Sequence, residues 1–250
     1  MNHPNINRSA VKAPLIEVLC PELGNLYGDS GNVLYLKKCL PEADFRMTHL
    51  TDRPAFVSET PDLIVMGSMS EQSQQEVIKR LLPYRERLNA LVEAGVPMLF
   101  TGNAGEVLFT HLETWNKTQT DGLGLLPFTA RANGYTRYNG LTYGRFADEF
   151  DTFGFRSQFM FWYGDNTACP FVRCKRGIGL NPDSTLEGIL KNHLIVTAQL
   201  GPILVTNPAL TRKIFSWMGI DAEPVFESEI LAAQKERLKD FEAPGTKFTL

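Results

Sequence analysis

Cysteine and histidine are scarce in this chain, at four of each in 250 residues. Cys20, Cys39, Cys169 and Cys174 are too few for a disulfide scaffold, and a reducing cytoplasm is the compartment they fit. An excess of positive charge is also missing. Lys and Arg total 25 against 28 Asp and Glu, a formal charge of -3. Phosphate binding needs a basic field, so nucleic acid is not expected as the main partner. No apolar run approaches the ~18 residues of a membrane span. Residues 1–13 are polar and lack the apolar centre of a signal peptide, so they read as a disordered tail. There is no internal repeat and no low-complexity linker.

What remains is an ordinary globular composition, 43% hydrophobic and 21% charged. It suffices for one single domain, expected over 14–242, followed by a loose end at 243–250. The first half alternates short apolar runs with amphipathic stretches, the pattern of βαβ units and a mostly parallel sheet. Leu15 to Cys20, Phe45 to Leu50, Leu63 to Met66 and Val96 to Phe100 are the expected strands. Asp29 or Ser30 is placed to cap a helix with Val33, Leu36 and Leu40 on its apolar face. Ser70 is placed to cap another, where Pro83 predicts a kink or two consecutive helices. From about Gly134, frequent Tyr, Phe, Thr and Val interrupted by glycine predict antiparallel strands. Asn207-Pro208 reads as a capping Asn with Pro at the first helical position. Glu227 to Phe241 reads as an amphipathic helix with Leu231, Leu238 and Phe241 on its apolar face.

In an open α/β sheet, ligands sit beyond the carboxyl ends of the strands. The turn after Phe100 is therefore the first place to look for chemistry. Thr101-Gly102-Asn103-Ala104-Gly105-Glu106, followed by Val107-Leu108-Phe109, reads as strand, tight turn and helix. Such an elbow lifts a nucleophile into a cleft and aims backbone N–H groups at an oxyanion. The smallness is here, but a nucleophile is not. Thr101 is one position early and is expected to point back toward the sheet. Small residues are also common at plain βα turns.

Asn25-Leu26-Tyr27-Gly28-Asp29-Ser30-Gly31-Asn32 resembles the opening motif of the cobyric-acid-synthase-like class I glutamine amidotransferases. Within that family it is closest to the GatD-type glutaminase subunits of lipid II isoglutaminyl synthase. The resemblance continues through Pro61 to Gly67, Gly95 to Leu99, Arg137 to Gly140, Leu186 to Gly188, and Gly201 to Leu204 with Asn207-Pro208. It spans roughly Leu15 to Gln234. It implies a flavodoxin-like α/β fold, with a mostly parallel sheet flanked by helices and antiparallel strands in the second half. It also implies a cleft near Gly67, Asn103, Gly105 and Arg137. The family arginine at position 137 is associated with the glutamine pocket, and a guanidinium fork suits an α-carboxylate. Glutamine or glutamate is the ligand that follows, with no cofactor.

The departures fall on the chemistry. Where the family elbow carries its nucleophilic Cys, this chain has Gly102, and where it carries the His base, Leu200. The glycines of the oxyanion side have become Gly67-Ser68-Met69. Amide hydrolysis through a thioester needs a thiolate and a base; glycine supplies no nucleophile and leucine accepts no proton. The expected reading is a catalytically degenerate subunit docking on a Mur-ligase-like, ATP-dependent synthetase in amidation of a cell-wall precursor or a related reaction. An amino-acid-binding or regulatory module that kept the cleft is one alternative. An amidohydrolase with a relocated nucleophile, at Cys20, Cys169 or Cys174, is another. Cys169, Cys174 and His193 lack a fourth ligand and the usual zinc spacing, so no metal is expected. His111 is expected on a helix surface, and His193 at the far end of a strand from the cleft.

Overall fold

The computed structural model describes residues 12–249. Strands β1 (Leu15–Leu19), β2 (Asp44–Thr48), β3 (Leu63–Met66) and β4 (Met98–Thr101) are parallel and lie in the order β4-β3-β1-β2. β1, β3 and β4 are buried at every position, as in a parallel sheet covered on both faces. Successive residues therefore serve two cores. Ile64, Met66, Met98 and Phe100 pack with Val77, Leu81, Leu88 and Leu91. Leu63, Val65 and Leu99 pack on the other face with Val33 and Leu36 of helix α1 (Ser30–Cys39). Helices α2 (Glu71–Leu81) and α3 (Arg85–Glu93) follow one another across a turn holding Pro83. The Ser70 hydroxyl accepts the Ser73 N–H at 3.1 Å and starts α2 as expected.

A carboxylate sits in the middle of β1. Glu17 is fully buried, and its oxygens accept from Thr48 Oγ1 at 2.6 Å and from the N–H groups of Ala55 (2.6 Å) and Phe56 (2.8 Å). Burial raises its pKa, and these hydrogen bonds pull it partly back. The side chain joins β1 to β2 and to the turn that follows.

Beyond the central strands the chain builds two smaller sheets. The first takes β5 (Phe109–Glu113), β6 (Gln119–Asp121) and β7 (Leu126–Ala132). The second opens with the hairpin of β8 (Tyr138–Phe146) and β9 (Phe150–Gln158). Strand β10 (Met160–Tyr163) returns to pair with β7, while β11 (Val172–Arg176) and β12 (Leu186–Glu187) complete the second sheet. Their pairings are antiparallel except β5 with β7. β13 (Ile189–Lys191) and β14 (Leu194–Thr197) rejoin the central sheet, where β14 lies parallel to β4. The expected α/β architecture is present, although the change of texture begins at Phe109 rather than near Gly134.

Four local expectations need correcting. The elbow does not open an α-helix: Gly102–Leu108 is a 3-10 turn that passes directly into β5, so His111 stands on a strand. Asn207 precedes α5 (Pro208–Trp217), just after the short α4 (Ile203–Thr206), yet its side chain makes no capping bond. Its Oδ1 accepts the Phe153 N–H and its Nδ2 donates to the Phe153 carbonyl, both at 2.9 Å. The amide thus pairs a buried stretch of β9 as a neighbouring strand does. Leu231 is 48% exposed on α6 (Glu227–Glu242), which turns Ile230 and Phe241 toward the cores instead. The segment expected to be loose is anchored through residue 249. Phe248 is buried against Phe241, its carbonyl accepts the Leu141 N–H, and Arg176 Nη2 donates to the Thr246 carbonyl. The tail expected over 1–13 falls almost wholly outside the described residues.

N207A leaves the Phe153 N–H and C=O buried without partners, an expected loss of about 1–3 kcal/mol. Urea unfolding reads it as a lower midpoint at unchanged slope.

Candidate active-site cleft

The ends of β3, β4 and β14 meet at one buried carboxylate. Asp29, at the head of α1, turns inward instead of capping its helix. Its Oδ1 accepts from Thr101 Oγ1 at 2.5 Å and from the Gly201 N–H at 2.9 Å. Its Oδ2 accepts from the Ser68 N–H at 3.2 Å and from the Ser68 hydroxyl. Burial pushes the Asp29 pKa up, and the donors oppose that shift. Close by, Asn32 Oδ1 accepts the Leu204 N–H at 3.0 Å, so α1 also holds the segment after Leu200.

These bonds bring residues 68, 102 and 200 together. Gly102 sits at φ +57 and donates its N–H to the Gln199 carbonyl at 3.1 Å. A Cβ placed on Gly102 would lie 2.6 Å from Ser68 Cβ and 2.8 Å from Leu200 Cδ2. The elbow therefore faces Leu200 and the Ser68 methylene with no room for a side chain at position 102. Thr101 points into the sheet end, as expected, and its hydroxyl is consumed by Asp29.

The cleft beside this elbow is narrow, about 30 Å3. Its walls include Ser68, Asn103, Glu106, Arg137 and Leu200. Asn103 spends its amide on both backbone groups of Met69, at 2.9 and 2.8 Å. Arg137 donates to the Tyr27 hydroxyl and to Ser157 Oγ at 3.2 Å, with its guanidinium 4.0 Å from the Phe159 ring centre. Tyr27 itself sits at φ 58 in a 3-10 turn over the cleft. The two glycines expected here do not line it. Gly105 is packed so tightly that a Cβ would lie 2.3 Å from Val196 Cγ1. Gly67 abuts the Gly24 carbonyl and borders a separate hollow beneath α1.

Two buried acids were not legible as such. Glu106 accepts from Gln74 Nε2 and Trp162 Nε1, both at 2.9 Å, and burial pushes its pKa up to about 7. Glu187 accepts from Thr197 Oγ1 (3.0 Å), the Ala198 N–H (2.9 Å) and Gln199 Nε2 (3.2 Å), fixing the stretch that leads to Leu200. Burial raises its pKa, opposed chiefly by the nearby positive charge of buried Arg156.

No cysteine lines the cleft beside the elbow. Cys20 is buried, and burial followed by the charge of Glu22 pushes its thiol up to about 12. Cys174 is pushed to about 12, again mainly by burial, and the Cys169 thiol is raised. Thiols so placed carry little thiolate at neutral pH. His193 stacks on Trp217 at 4.7 Å and bonds the Gly95 carbonyl, at the opposite end of β14 from the cleft. Among the described residues no group of His, Cys, Asp and Glu is arranged to hold a metal ion.

No protein-family profile matches the chain. It is 28% identical over 223 residues to the GatD subunit of the glutamine-hydrolyzing lipid II isoglutaminyl synthase of Staphylococcus aureus (strain N315), covering 84% of this chain and 89% of that one. The chain is thus similar to a GatD subunit in sequence and to glutamine amidotransferases in fold. Solved structures share the fold of this chain. A glutamine amidotransferase superposes with a TM-score of 0.55 at 13% identity, over 82% of this chain and 99% of that one. PurLQS from Thermotoga maritima superposes with a TM-score of 0.53 at 12% identity, over 91% and 100%. No helix among the described residues is long and apolar enough to cross a membrane.

Glu106 gives the cleft a pH signature. Its folded-state pKa lies above the unfolded value, so the native state binds the extra proton and stability falls as pH rises. Its contribution is complete below the unfolded carboxyl pKa and lost as pH rises through about 7. E106Q, which keeps the shape but cannot ionise, should lose less stability than wild type between about pH 5 and about pH 8 in denaturant melts.

Proposed function

We infer that this chain is a GatD-like subunit that does not hydrolyse glutamine. One observation carries the reading: hydrogen stands at the elbow where a sulfur nucleophile is needed, and Leu200 and Ser68 fill the space around it. Hydrolysis by this fold's chemistry would form a bond from sulfur to the glutamine δ-carbon. It would expel ammonia with a proton from the base, then admit water. Loss of nucleophile and base together costs on the order of 10⁶ in rate.

What the chain retains is scaffold. The relative from Staphylococcus aureus is a subunit of an isoglutaminyl synthase. By that likeness this chain associates in the cytoplasm with a Mur-ligase-like, ATP-dependent amide-forming synthetase. The synthetase activates a carboxylate, and free ammonia from solution completes the amide of a cell-wall precursor or a related acceptor. A second reading, an amino-acid-binding or regulatory module, is favoured by Arg137. Its guanidinium lines the cleft and has hydroxyl and aromatic partners but no carboxylate among the described residues.

The test is co-expression with a Mur-ligase-like synthetase and assay of the purified pair. Ammonium is expected to support amide formation, while glutamine is not, with or without C20A. Adding only the thiol, G102C, is expected to give no activity and to cost about 1–3 kcal/mol, through overpacking at a left-handed position. Amidation fed by glutamine in the wild-type pair, or failure of the two chains to co-purify, contradicts the reading.

A further inference from the structure

The cleft does not end at Arg137. Glu71, Phe159 and Met160 line both it and an adjoining groove of about 270 Å3. The outer wall of that groove is Trp115, on the loop after β5, and Tyr135, on the loop before β8. Their ring centres are 4.4 Å apart, yet they are 52% and 72% exposed. Two large rings held against each other in water are a preformed surface for a third flat or apolar group. The groove is otherwise closed by Ala132, Gly134 and Thr114, which add no charge.

The charges at the inner end have a definite pattern. Arg137 and Glu71 line the same cleft, and among the described residues neither forms an ion pair. The guanidinium instead holds two neutral hydroxyls, partners that a carboxylate outcompetes through charge-assisted bonds. Glu71 is exposed at the first turn of α2, with its carboxylate free to meet an ammonium. A cation and an anion in one cleft, with an aromatic groove leading away, complement a zwitterionic head carrying an apolar ring.

We propose that the degenerate cleft and its groove bind a free aromatic α-amino acid, with the carboxylate on Arg137, the ammonium on Glu71 and the side-chain ring against Trp115 and Tyr135. Tyr27 yields the guanidinium when the carboxylate arrives, which opens the narrow cleft. A small polar side chain leaves the aromatic groove empty, so glutamine is a poor ligand. The proposal rests on the preceding reading only in taking the elbow as closed to chemistry. Synthetase association and ligand binding are measured separately, so either can fail alone.

Calorimetric titration of the whole chain tests it, with L-phenylalanine as the probe. L-Glutamine and L-alanine lack the ring, 3-phenylpropionate lacks the ammonium and phenethylamine lacks the carboxylate. Each is expected to bind at least about tenfold more weakly than L-phenylalanine. R137Q, E71Q and W115A are each expected to weaken L-phenylalanine about tenfold, while W115F, which keeps a ring, binds like wild type. Trp115 and Glu71 are exposed, so their variants report binding without unfolding the chain. Quenching of Trp115 fluorescence by L-phenylalanine, absent in W115F, provides the second readout. No binding at about 10 mM L-phenylalanine, glutamine binding as tightly as phenylalanine, or phenylalanine binding untouched by W115A overturns the proposal.

Discussion

The Asp29 carboxylate is the constraint on which the rest of the site depends. It collects hydrogen bonds from the turn after β3, the end of β4 and the segment after β14. Those segments are far apart in sequence, and each contributes one wall of the cleft. A buried carboxylate is costly unless its lone pairs are satisfied, and four donors meet that need here. The same bonds decide what the elbow faces. With Ser68 drawn toward Asp29 and Gly201 tethered beside it, Ser68 and Leu200 close on Gly102 from both sides. Asp29 therefore fixes the geometry of the elbow, with Gly102 and Leu200 facing each other across it.

That geometry gives the two unusual residues a physical meaning. Positions 102 and 200 are distant in sequence, and nothing in either residue's chemistry links them. In the fold they are in direct contact, as a nucleophile and its base must be. Glycine at a left-handed elbow and leucine opposite it make a contact that is well packed and inert. The buried acids nearby show the same bias. Glu106 is consumed by Gln74 and Trp162, and Glu187 by the backbone and side chains leading to Leu200. They hold the scaffold and present no free proton acceptor to the elbow.

Much of the fold was legible because burial writes itself into apolar runs. β1, β3 and β4 are short, continuous and hydrophobic, and the helices between them show helical spacing. What the sequence hid was side-chain direction. Asp29 and Asn207 both precede helices, where short polar residues usually cap. Both instead turn inward to serve a distant backbone, a choice that only tertiary packing makes. The elbow was recognisable as small residues after a strand, but its passage into β5 rather than a helix depends on pairing with the distant β7 and the following β6. Arg137 and Asn103 came out at the cleft, while Gly67 and Gly105 are small for close packing alone. The placing of Arg137 and Glu71 in one cleft, and the groove behind them, had no sequence signal because separate segments of the chain supply it.

The most direct test of the inert elbow is intact-mass analysis after incubation with an electrophilic glutamine analogue that alkylates the nucleophile of glutaminases. The account predicts an unmodified mass for the chain alone and for the chain bound to its synthetase. A single covalent adduct, mapped to any residue lining the cleft, would contradict it.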